Sequence, residues 1–243
     1  MRCYFGRFAS RPRVAAGHQT SVRSVPKSII HPPYAASGEM SDVKPFIPIL
    51  DAEQQQRLRA ACALARDIRE FAKPLCQPGA TTEDIDCLVH EEIVRRGAYP
   101  TPLNYGGFPK ALCSSVNEIV VHGIPDSRPL VDGDIVNIDI SVFLDGFHGD
   151  TGNHGGAGCR AGYTGHGIGK EFHCLPFILH HRNNEPGKMM PGMAFTVEPA
   201  LTEGSPKIVH WDDGWTVATA DGGRSAQAEH TVLITEDGVD IVT

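Results

Sequence analysis

Apolar and polar positions alternate along the chain with two different periods, and the period changes near the hundredth residue. Within residues 51–73, apolar side chains recur every three or four positions, which predicts an amphipathic helix. Asp51 can cap its start, with Gln54 three residues later. A second helix is predicted over residues 82–96, with Gly97 as its C-cap. The predicted buried faces are Leu58, Ala61, Ala65, Ile68 and Ala72 in the first helix and Ile85, Leu88, Val89 and Ile93 in the second.

Beyond that point the period shortens to two, which predicts β-strands. Residues 134–143 alternate in this way, and the apolar side is formed by Val136, Ile138, Ile140 and Val142. The dipeptide Asp145-Gly146 that follows is a strong signal for a two-residue hairpin turn. Two helices followed by antiparallel strands predict the α+β fold class. Later strands are predicted over residues 193–202, 215–219 and 226–235.

Four carboxylates stand within these apolar strands, where acids are rare unless they are paired or bound to a metal. They are Asp139, Asp150, Glu198 and Glu229. Taken singly, each could face solvent from the polar side of a half-buried strand. In a hairpin closed at residues 145–146, however, Asp139 and Asp150 become diagonal neighbours on one face, about 7 Å apart. Two carboxylates so placed repel each other unless a cation lies between them.

Histidines supply the other ligand type that such a site needs. His166 lies among three glycines in YTGHGIG, where the backbone can bend closely towards an ion. His122 ends an apolar stretch, and His173 lies seven residues after His166. Each alone could be structural or solvent-exposed. A carboxylate-rich set with one imidazole suits a paired site for Mn, Fe, Co or Zn and does not indicate structural cysteine-bound zinc.

Composition narrows the class of protein. Of the 243 residues, 41% are hydrophobic and 21% charged, which is ordinary for a globular protein. No apolar run is long enough to span a bilayer. The net charge of -7 gives no electrostatic support for nucleic-acid binding. The seven cysteines include no C-x-x-C pair, which favours free thiols in a reducing compartment over disulfides.

The first 38 residues differ from the rest, because they hold six basic residues and no acidic one. This composition predicts an organelle transit peptide over residues 1–38. The alternative is a basic tail that stays attached. We expect residues 39–50 to form an extended linker and residues 51–243 to form the folded domain.

Four segments together resemble the successive metal-ligand motifs of the type 1 methionine aminopeptidases. They are VNIDISVFLDGFHGDT, YTGHGIGKEFH, AFTVEPAL and SAQAEHTVLIT. The segment NYGGFPKALCSSVNEIVVHGIPDSRPL is similar to the substrate-pocket segment of that family, and the likeness runs from about Val25 to Thr243. The basic leader and VPKSIIHPPYAASG most resemble the organellar, mitochondrial-type form. The resemblance implies a pita-bread fold, with two pseudo-symmetric halves around a central sheet and residues 51–243 as the catalytic domain.

The resemblance also implies roles for particular residues. Five metal ligands would be Asp139, Asp150, His166, Glu198 and Glu229. Asp150 and Glu229 would bridge two divalent ions, either Co, Mn, Fe or Zn. His122 and His173 would contact the substrate and stabilise the tetrahedral intermediate, and Glu198 would pass a proton to the leaving amine. The methionine pocket would be lined by Tyr105, Phe108, Cys113, Phe172 and Trp215, for which simple core packing is the alternative.

The implied activity is removal of the N-terminal methionine from peptides and nascent proteins by metal-assisted hydrolysis. The resemblance implies a monomer located in mitochondria, with plastid and cytoplasm as alternatives. It implies no nucleic-acid partner.

One interval departs from the family. Only sixteen positions separate Asp150 from His166, and residues 151–165 are rich in glycine. In the family this interval holds the paired helices of the second half-domain, so we expect those helices to be missing here. The alternatives are a catalytically impaired pita-bread binding protein or a peptidase of the proline dipeptidase type. The segment HGIPD favours the methionine enzyme over the latter.

Overall fold

The computed structural model describes residues 12–153 and 163–243, and both of its α-helices precede the main sheet. Helix α1 spans Ala52–Ala72 and helix α2 spans Thr82–Arg95. The predicted capping box is present, because Asp51 accepts from the Gln54 backbone and Gln54 accepts from the Asp51 backbone. Gly97 has φ of 79°, as a C-cap glycine should.

The predicted buried faces are confirmed except at one residue. Leu88 is 42% exposed, whereas Ile85, Val89 and Ile93 are at most 1% exposed. Adjacent residues of an α-helix are rotated by about 100°, so Leu88 lies well to one side of the stripe that contains Val89. The prediction for Leu88 was therefore wrong.

Fourteen strands follow within the described ranges. They are β1 (Tyr99–Pro100), β2 (Cys113–Val116), β3 (Ile119–Val121), β4 (Val136–Leu144), β5 (Phe147–Asn153), β6 (Thr164–Gly167), β7 (Cys174–Leu179), β8 (Ala194–Val197), β9 (Ala200–Thr202), β10 (Ile208–His210), β11 (Val217–Thr219), β12 (Ser225–Gln227), β13 (Glu229–Ile234) and β14 (Val239–Ile241). The main sheet has the order β1-β4-β5-β13-β8-β6-β7, with β2 beside β4 and β14 beside β13. Two small sheets join β10-β11-β3 and β12-β9. All described pairs are antiparallel, so the predicted α+β class is confirmed.

The predicted hairpin register is also confirmed. Leu144 pairs with Phe147, and Ser141 pairs with Asp150. Two of the later predicted strands are each split in two. Strands β8 and β9 are separated at Glu198 and Pro199, since proline cannot donate to a sheet ladder.

The helices cover one face of the sheet, and the opposite face is free to carry polar groups. Ile68 of α1 and Val89 of α2 are fully buried against Ile138, Ile140 and Val142 of β4. Alternation along β4 therefore turns the side chains between them, including that of Asp139, to the other face.

No α-helix lies within residues 163–243, and helix α1 reaches the second half of the sheet through a buried cluster of Leu58, Ala61 and Cys62 with Ala194 and Leu233. Strand pairing places Phe195, Val232 and Ile241 in one row, and Val197, Ile234 and Val239 share their face by alternation. We call these six residues the second-half face. Ile47 and Ile178 pack against part of it, but Val197, Val239 and Ile241 are 37%, 58% and 67% exposed. Residues 154–162, which make up most of the shortened interval, lie outside the described residues.

Residues 12–38, the described part of the predicted leader, lie against the folded domain. The backbone N–H of Gly17 donates to Asp126 at 2.6 Å, and Arg23 forms an ion pair with Glu83 at 2.8 Å. The Tyr34 side chain is buried. Residues 1–11 lie outside the described part of the chain. No helix among the described residues is long and apolar enough to cross a membrane.

Candidate active site

Three adjacent strands place two carboxylates in one row. Asp139 of β4 pairs with Gly152 of β5, and Gly152 pairs with Glu229 of β13. Because Gly152 has no side chain, Asp139 and Glu229 flank an open position. Asp150 lies two residues before Gly152 and therefore faces the same side. The hairpin register thus makes Asp139 and Asp150 diagonal neighbours, as the sequence predicted.

Two further side chains approach this row from the other half of the sheet. His166 belongs to β6, and Glu198 follows β8 directly. The Nε2 atom of His166 lies 3.7 Å from Asp150 Oδ2 and 3.5 Å from Glu198 Oε1. Possible ligand atoms of Asp150, His166 and Glu229 all lie within 4.8 Å of one another. The five predicted ligands therefore converge on one small volume.

Burial is the main cause of a shifted pKa in every member of this group. Burial raises the pKa of Asp139 to about 7 and that of Glu198 to about 8. Burial, and then the negative charges of neighbouring acids, raises the pKa of Asp150 and of Glu229 well above the usual range. Burial lowers the pKa of His166 to about 4, which leaves its ring neutral with a lone pair available.

Two buried oxygen atoms without hydrogen-bond partners indicate that a cation fits here. Oδ1 of Asp139 and Oδ1 of Asp150 are buried and accept no hydrogen bond within the described residues. A buried acceptor without a partner costs about 1–3 kcal/mol, and a cation would satisfy both. Four carboxylates and one neutral imidazole are the donor set preferred by Mn, Fe, Co or Zn at paired sites. The residues present therefore fit a divalent metal centre.

A cavity of about 410 Å³ opens beside the carboxylates. It is lined by every site residue predicted from the sequence. These are Tyr105, Phe108, Cys113, His122, Asp139, Asp150, His166, Phe172, His173, Glu198, Trp215 and Glu229. The aromatic residues and the cysteine therefore face a cavity in addition to packing against their neighbours.

One part of the cavity wall is apolar. The rings of Phe108 and Trp215 meet edge to face at 5.3 Å. Cys113 of β2 pairs with Asp139, so its buried thiol stands next to the carboxylate row. An unbranched apolar side chain can occupy this region while its own backbone lies against the carboxylates.

Two neutral histidines stand beside the carboxylates. The Nδ1 atom of His173 shares a hydrogen bond of 2.7 Å with the Tyr105 hydroxyl, and its ring lies 4.1 Å from that of His166. Burial lowers the pKa of His122 to about 4 and that of His173 well below its usual value. His122 has φ of 57°, a left-handed conformation that is uncommon outside glycine and recurs at functional sites.

Six residues that line the cavity were not predicted from the sequence. They are Met40, Pro102, Ser141, Tyr163, Thr164 and Phe177. Tyr163 and Thr164 directly precede the glycine-flanked His166 and could have been included with it. The open position at Gly152 also follows from the predicted hairpin register. Met40 and Phe177 carry no local signal, because tertiary packing alone brings them to the cavity.

Comparison with known proteins finds relatives along most of the chain. The sequence pattern of metallopeptidase family M24 matches residues 56–154 and 153–236. Methionine aminopeptidase 1D, chloroplastic/mitochondrial, of Arabidopsis thaliana is 41% identical over 280 residues, covering 96% of this chain and 80% of the relative. The mitochondrial methionine aminopeptidase 1D of Mus musculus is 45% identical over 266 residues, covering 90% of this chain and 79% of the relative.

The comparisons also bear on the shortened interval. The 280 residues aligned with the Arabidopsis relative exceed the 243 of the whole chain, so at least 37 residues of that relative have no counterpart here. The family match divides at residues 153–154, where the interval begins.

A solved structure shows the same architecture. The crystal structure of methionine aminopeptidase from Rickettsia prowazekii superimposes with a TM-score of 0.77 at 36% identity, covering 82% of this chain and 100% of that one. The predicted pita-bread fold is therefore confirmed. The chain belongs to metallopeptidase family M24, and within it to the type 1 methionine aminopeptidases.

Proposed function

We propose that this chain removes the initiator methionine from new proteins by hydrolysing the first peptide bond at a centre of two divalent ions. The observation that carries the proposal is the convergence of five metal-ligating side chains beside an apolar cavity of about 410 Å³. The names of the relatives in Arabidopsis and mouse support the same substrate. All the residues that the proposal uses come from one chain, so we propose that a monomer is active.

The positions of the five side chains indicate how they would share the binding of two ions. Possible ligand atoms of Asp150 and Glu229 lie close to each other and to His166, so both carboxylates would hold the metal centre. Asp139 would contribute to the centre from one side, and His166 and Glu198, whose ligand atoms are 3.5 Å apart, would contribute from the other. When bound, Co, Mn, Fe or Zn would supply a water that is nucleophilic near neutral pH.

The side chains around the centre would position the substrate and move its protons. The carboxyl group of Glu198 is fixed by Thr196, which donates to Oε1 at 2.8 Å, and by Gln227, which donates to Oε2 at 3.2 Å. When the metal is bound, this carboxylate could accept a proton and pass it to the leaving amine. The neutral rings of His122 and His173 would donate to the carbonyl oxygen as that oxygen gains negative charge and the carbonyl carbon becomes tetrahedral.

The first test is metal-dependent cleavage of a short peptide. The purified chain should release methionine from Met-Ala-Ser when Mn²⁺ or Co²⁺ is present. Activity should disappear with a chelator and return when metal is restored. A Leu-Ala-Ser peptide, which has a branched first side chain, is the control and should be cleaved far more slowly. Faster cleavage of an X-Pro dipeptide would contradict the proposal, and a chain that binds no metal would favour the binding-protein alternative.

The stability of the metal-free protein should fall as the pH rises. Asp139 and Glu198 have folded-state pKa values of about 7 and 8, above the values near 4 of unfolded chains. Folding therefore favours their protonated forms, and this stabilisation, complete below pH 4, is lost as the pH rises through 7 and 8. The raised pKa values of Asp150 and Glu229 act in the same direction. The lowered pKa values of four buried histidines oppose it, because protonation of these rings at low pH favours the unfolded chain; they are His122, His148, His166 and His173. Unfolded histidine titrates at about 6.5, within the interval from pH 5.5 to 8, so each ring offsets less than each carboxyl group contributes. We therefore expect chelator-treated protein to be more stable to urea at pH 5.5 than at pH 8, by about 2 kcal/mol.

Saturating Mn²⁺ should reverse that order, because metal binds the deprotonated carboxylates and only in the native state. The Asp139→Asn variant is the control and should show a smaller pH dependence without metal. Equal stability at the two pH values would show that burial does not raise the pKa values of these carboxyl groups.

We propose that the N-terminal leader directs import into mitochondria. Six basic residues and no acidic one within residues 1–38 support this, as do relatives named mitochondrial. The contacts of residues 12–38 favour removal ahead of Arg13, because Arg13 donates to the carbonyl oxygen of Ala220 at 2.8 Å and Arg23 forms ion pairs with Glu83 and with the buried Asp86.

A fluorescent fusion of residues 1–45 should enter mitochondria, and changing Arg2, Arg7 and Arg11 to Gln should leave it in the cytosol. Deleting residues 1–12 should leave stability almost unchanged. Deleting residues 1–38 should cost about 3–5 kcal/mol, since the buried Asp86 then loses its ion pair with Arg23. A wild-type fusion that stays diffuse in the cytosol would contradict the import proposal. Equal melting temperatures of the two deletions would contradict the proposed removal point.

A further inference from the structure

A gap in strand pairing lies directly behind two of the proposed ligands. The described pairing of β6 with β8 consists of Gly167 opposite Phe195. His166 and Glu198 both lie outside that pair. Their separation is therefore not fixed by a ladder of backbone hydrogen bonds between these two strands. Side chains must hold the two segments together at this point.

His180, which follows β7 directly, bridges the gap. Its Nε2 atom accepts a hydrogen bond from the backbone N–H of Gly165 at 3.1 Å and another from the backbone N–H of Glu198 at 3.1 Å. Gly165 immediately precedes His166 in the chain. One imidazole nitrogen thus contacts the backbone next to one proposed ligand and the backbone of the other. To accept both bonds, the ring carries its proton on Nδ1.

Thr196 supports the same pair of ligands from within β8. Its hydroxyl oxygen accepts from the backbone N–H of His166 at 3.0 Å and donates to Glu198 Oε1 at 2.8 Å. The strands approach closely only because residue 165 is a glycine, since a Cβ there would lie 2.1 Å from the carbonyl oxygen of Thr196. His180 thus ties the two backbones together, and Thr196 orients the Glu198 carboxylate.

We propose that His180 is a positioning residue for the metal centre. By holding Gly165 and Glu198, it sets the 3.5 Å separation of His166 Nε2 and Glu198 Oε1, from which both would bind one ion. The inference rests on the proposed function.

A matched pair of variants separates hydrogen bonding from packing. His180→Gln keeps an acceptor, whereas His180→Met has nearly the same shape and none. The neighbouring His181 is exposed, and its Nδ1 contacts only the backbone oxygen of Arg182 among its described hydrogen bonds, so His181→Met is the control. Each full-length protein is stripped of metal and titrated with Mn²⁺ by calorimetry. Turnover of Met-Ala-Ser is then measured separately as kcat and KM.

We expect His180→Met to weaken Mn²⁺ binding 10- to 100-fold, the usual cost of removing a group that orients a ligand. Its kcat should fall by a similar factor, with KM little changed, because the methionine pocket is untouched. His180→Gln should recover a large part of both losses, and His181→Met should behave like wild type.

Equal Mn²⁺ affinities in the Gln and Met variants of His180 would overturn this inference and leave the proposed function standing. Circular dichroism identifies a second contrary result. If His180→Met fails to fold, with or without His180→Gln, the residue has a general structural role and the inference is overturned. A wild-type chain that binds no Mn²⁺ would instead overturn the proposed function and the inference with it.

Discussion

Changing Asp139 to Asn or Glu229 to Gln is expected to reduce kcat/KM for a Met-Ala-Ser peptide by more than about 100-fold. Even the loss of a group that only supports a metal ligand costs 10- to 100-fold, and these two residues are proposed ligands. Both flank the open position at Gly152, so either change removes charge from the centre of the site. Steady-state kinetics with saturating Mn²⁺ would measure the effect.

The same two variants should be more stable than wild type once metal is removed. Each change removes a buried carboxyl group whose ionisation, as the pH rises through its raised pKa, adds a like charge to the group and destabilises the metal-free fold. The order should reverse in excess Mn²⁺, because wild type binds the ions more tightly. Thermal melts with chelator and with metal would show both signs.

Two exposed residues provide matched controls for these variants. Asp145→Asn lies in the hairpin turn and Glu236→Gln lies after β13, so neither should alter activity or metal-dependent stability. Activity near the wild-type level in Asp139→Asn or in Glu229→Gln would reject the assignment of that residue as a ligand.

Restoring a helical segment to the second half of the sheet is expected to raise the melting temperature by about 10 °C. The replacement takes the corresponding segment of the mouse relative in place of residues 154–162. It would cover the second-half face, where Val197, Val239 and Ile241 are exposed. Burying about 400 Å² of apolar surface contributes roughly 10 kcal/mol before the entropy of ordering the added residues is subtracted.

The free energy of unfolding should rise by a few kcal/mol, because the gain from apolar burial and the entropy cost of ordering the chain nearly cancel in segments of this size. In a chain of this length, each kcal/mol raises the melting temperature by about 2–4 °C. The covered face should also aggregate less, because an exposed apolar sheet face favours association. Differential scanning calorimetry and light scattering would measure the two effects.

A glycine-serine segment of the same length is the control, because it lengthens the chain without covering the sheet. The restored protein should also cleave methionine faster, since the segment leads directly into His166. If the natural chain melts within a few degrees of the restored one and cleaves as fast, the second-half face needs no helical cover.

Local chemistry made part of this structure predictable. The capping box of Asp51 and Gln54 and the turn at Asp145-Gly146 depend on residues a few positions apart, so the sequence determines them directly. The turn then fixes the register of β4 and β5, and with it the placement of Asp139 beside Asp150.

The remaining ligands were predicted by resemblance, because the residues alone do not specify which strands meet. Glu229 is ninety positions from Asp139 in the chain and reaches it only across Gly152 of an intervening strand. Nothing in the local sequence around residue 229 encodes that pairing. The exposed Leu88 shows that local periodicity also has a limit. It predicts a helix with an apolar face, but the neighbouring elements decide how much of that face is buried.

The sequence by itself therefore determined the two helices, the first hairpin and the chemical nature of the site, since these depend on side-chain type and short spacings. Tertiary structure alone decided that Met40 and Phe177 line the cavity, that His180 bridges β6 and β8, and that the second-half face lies partly bare. Each of these depends on contacts between segments far apart in the chain. Their geometry is set by strand pairing and packing over the whole fold, which no short stretch of residues specifies.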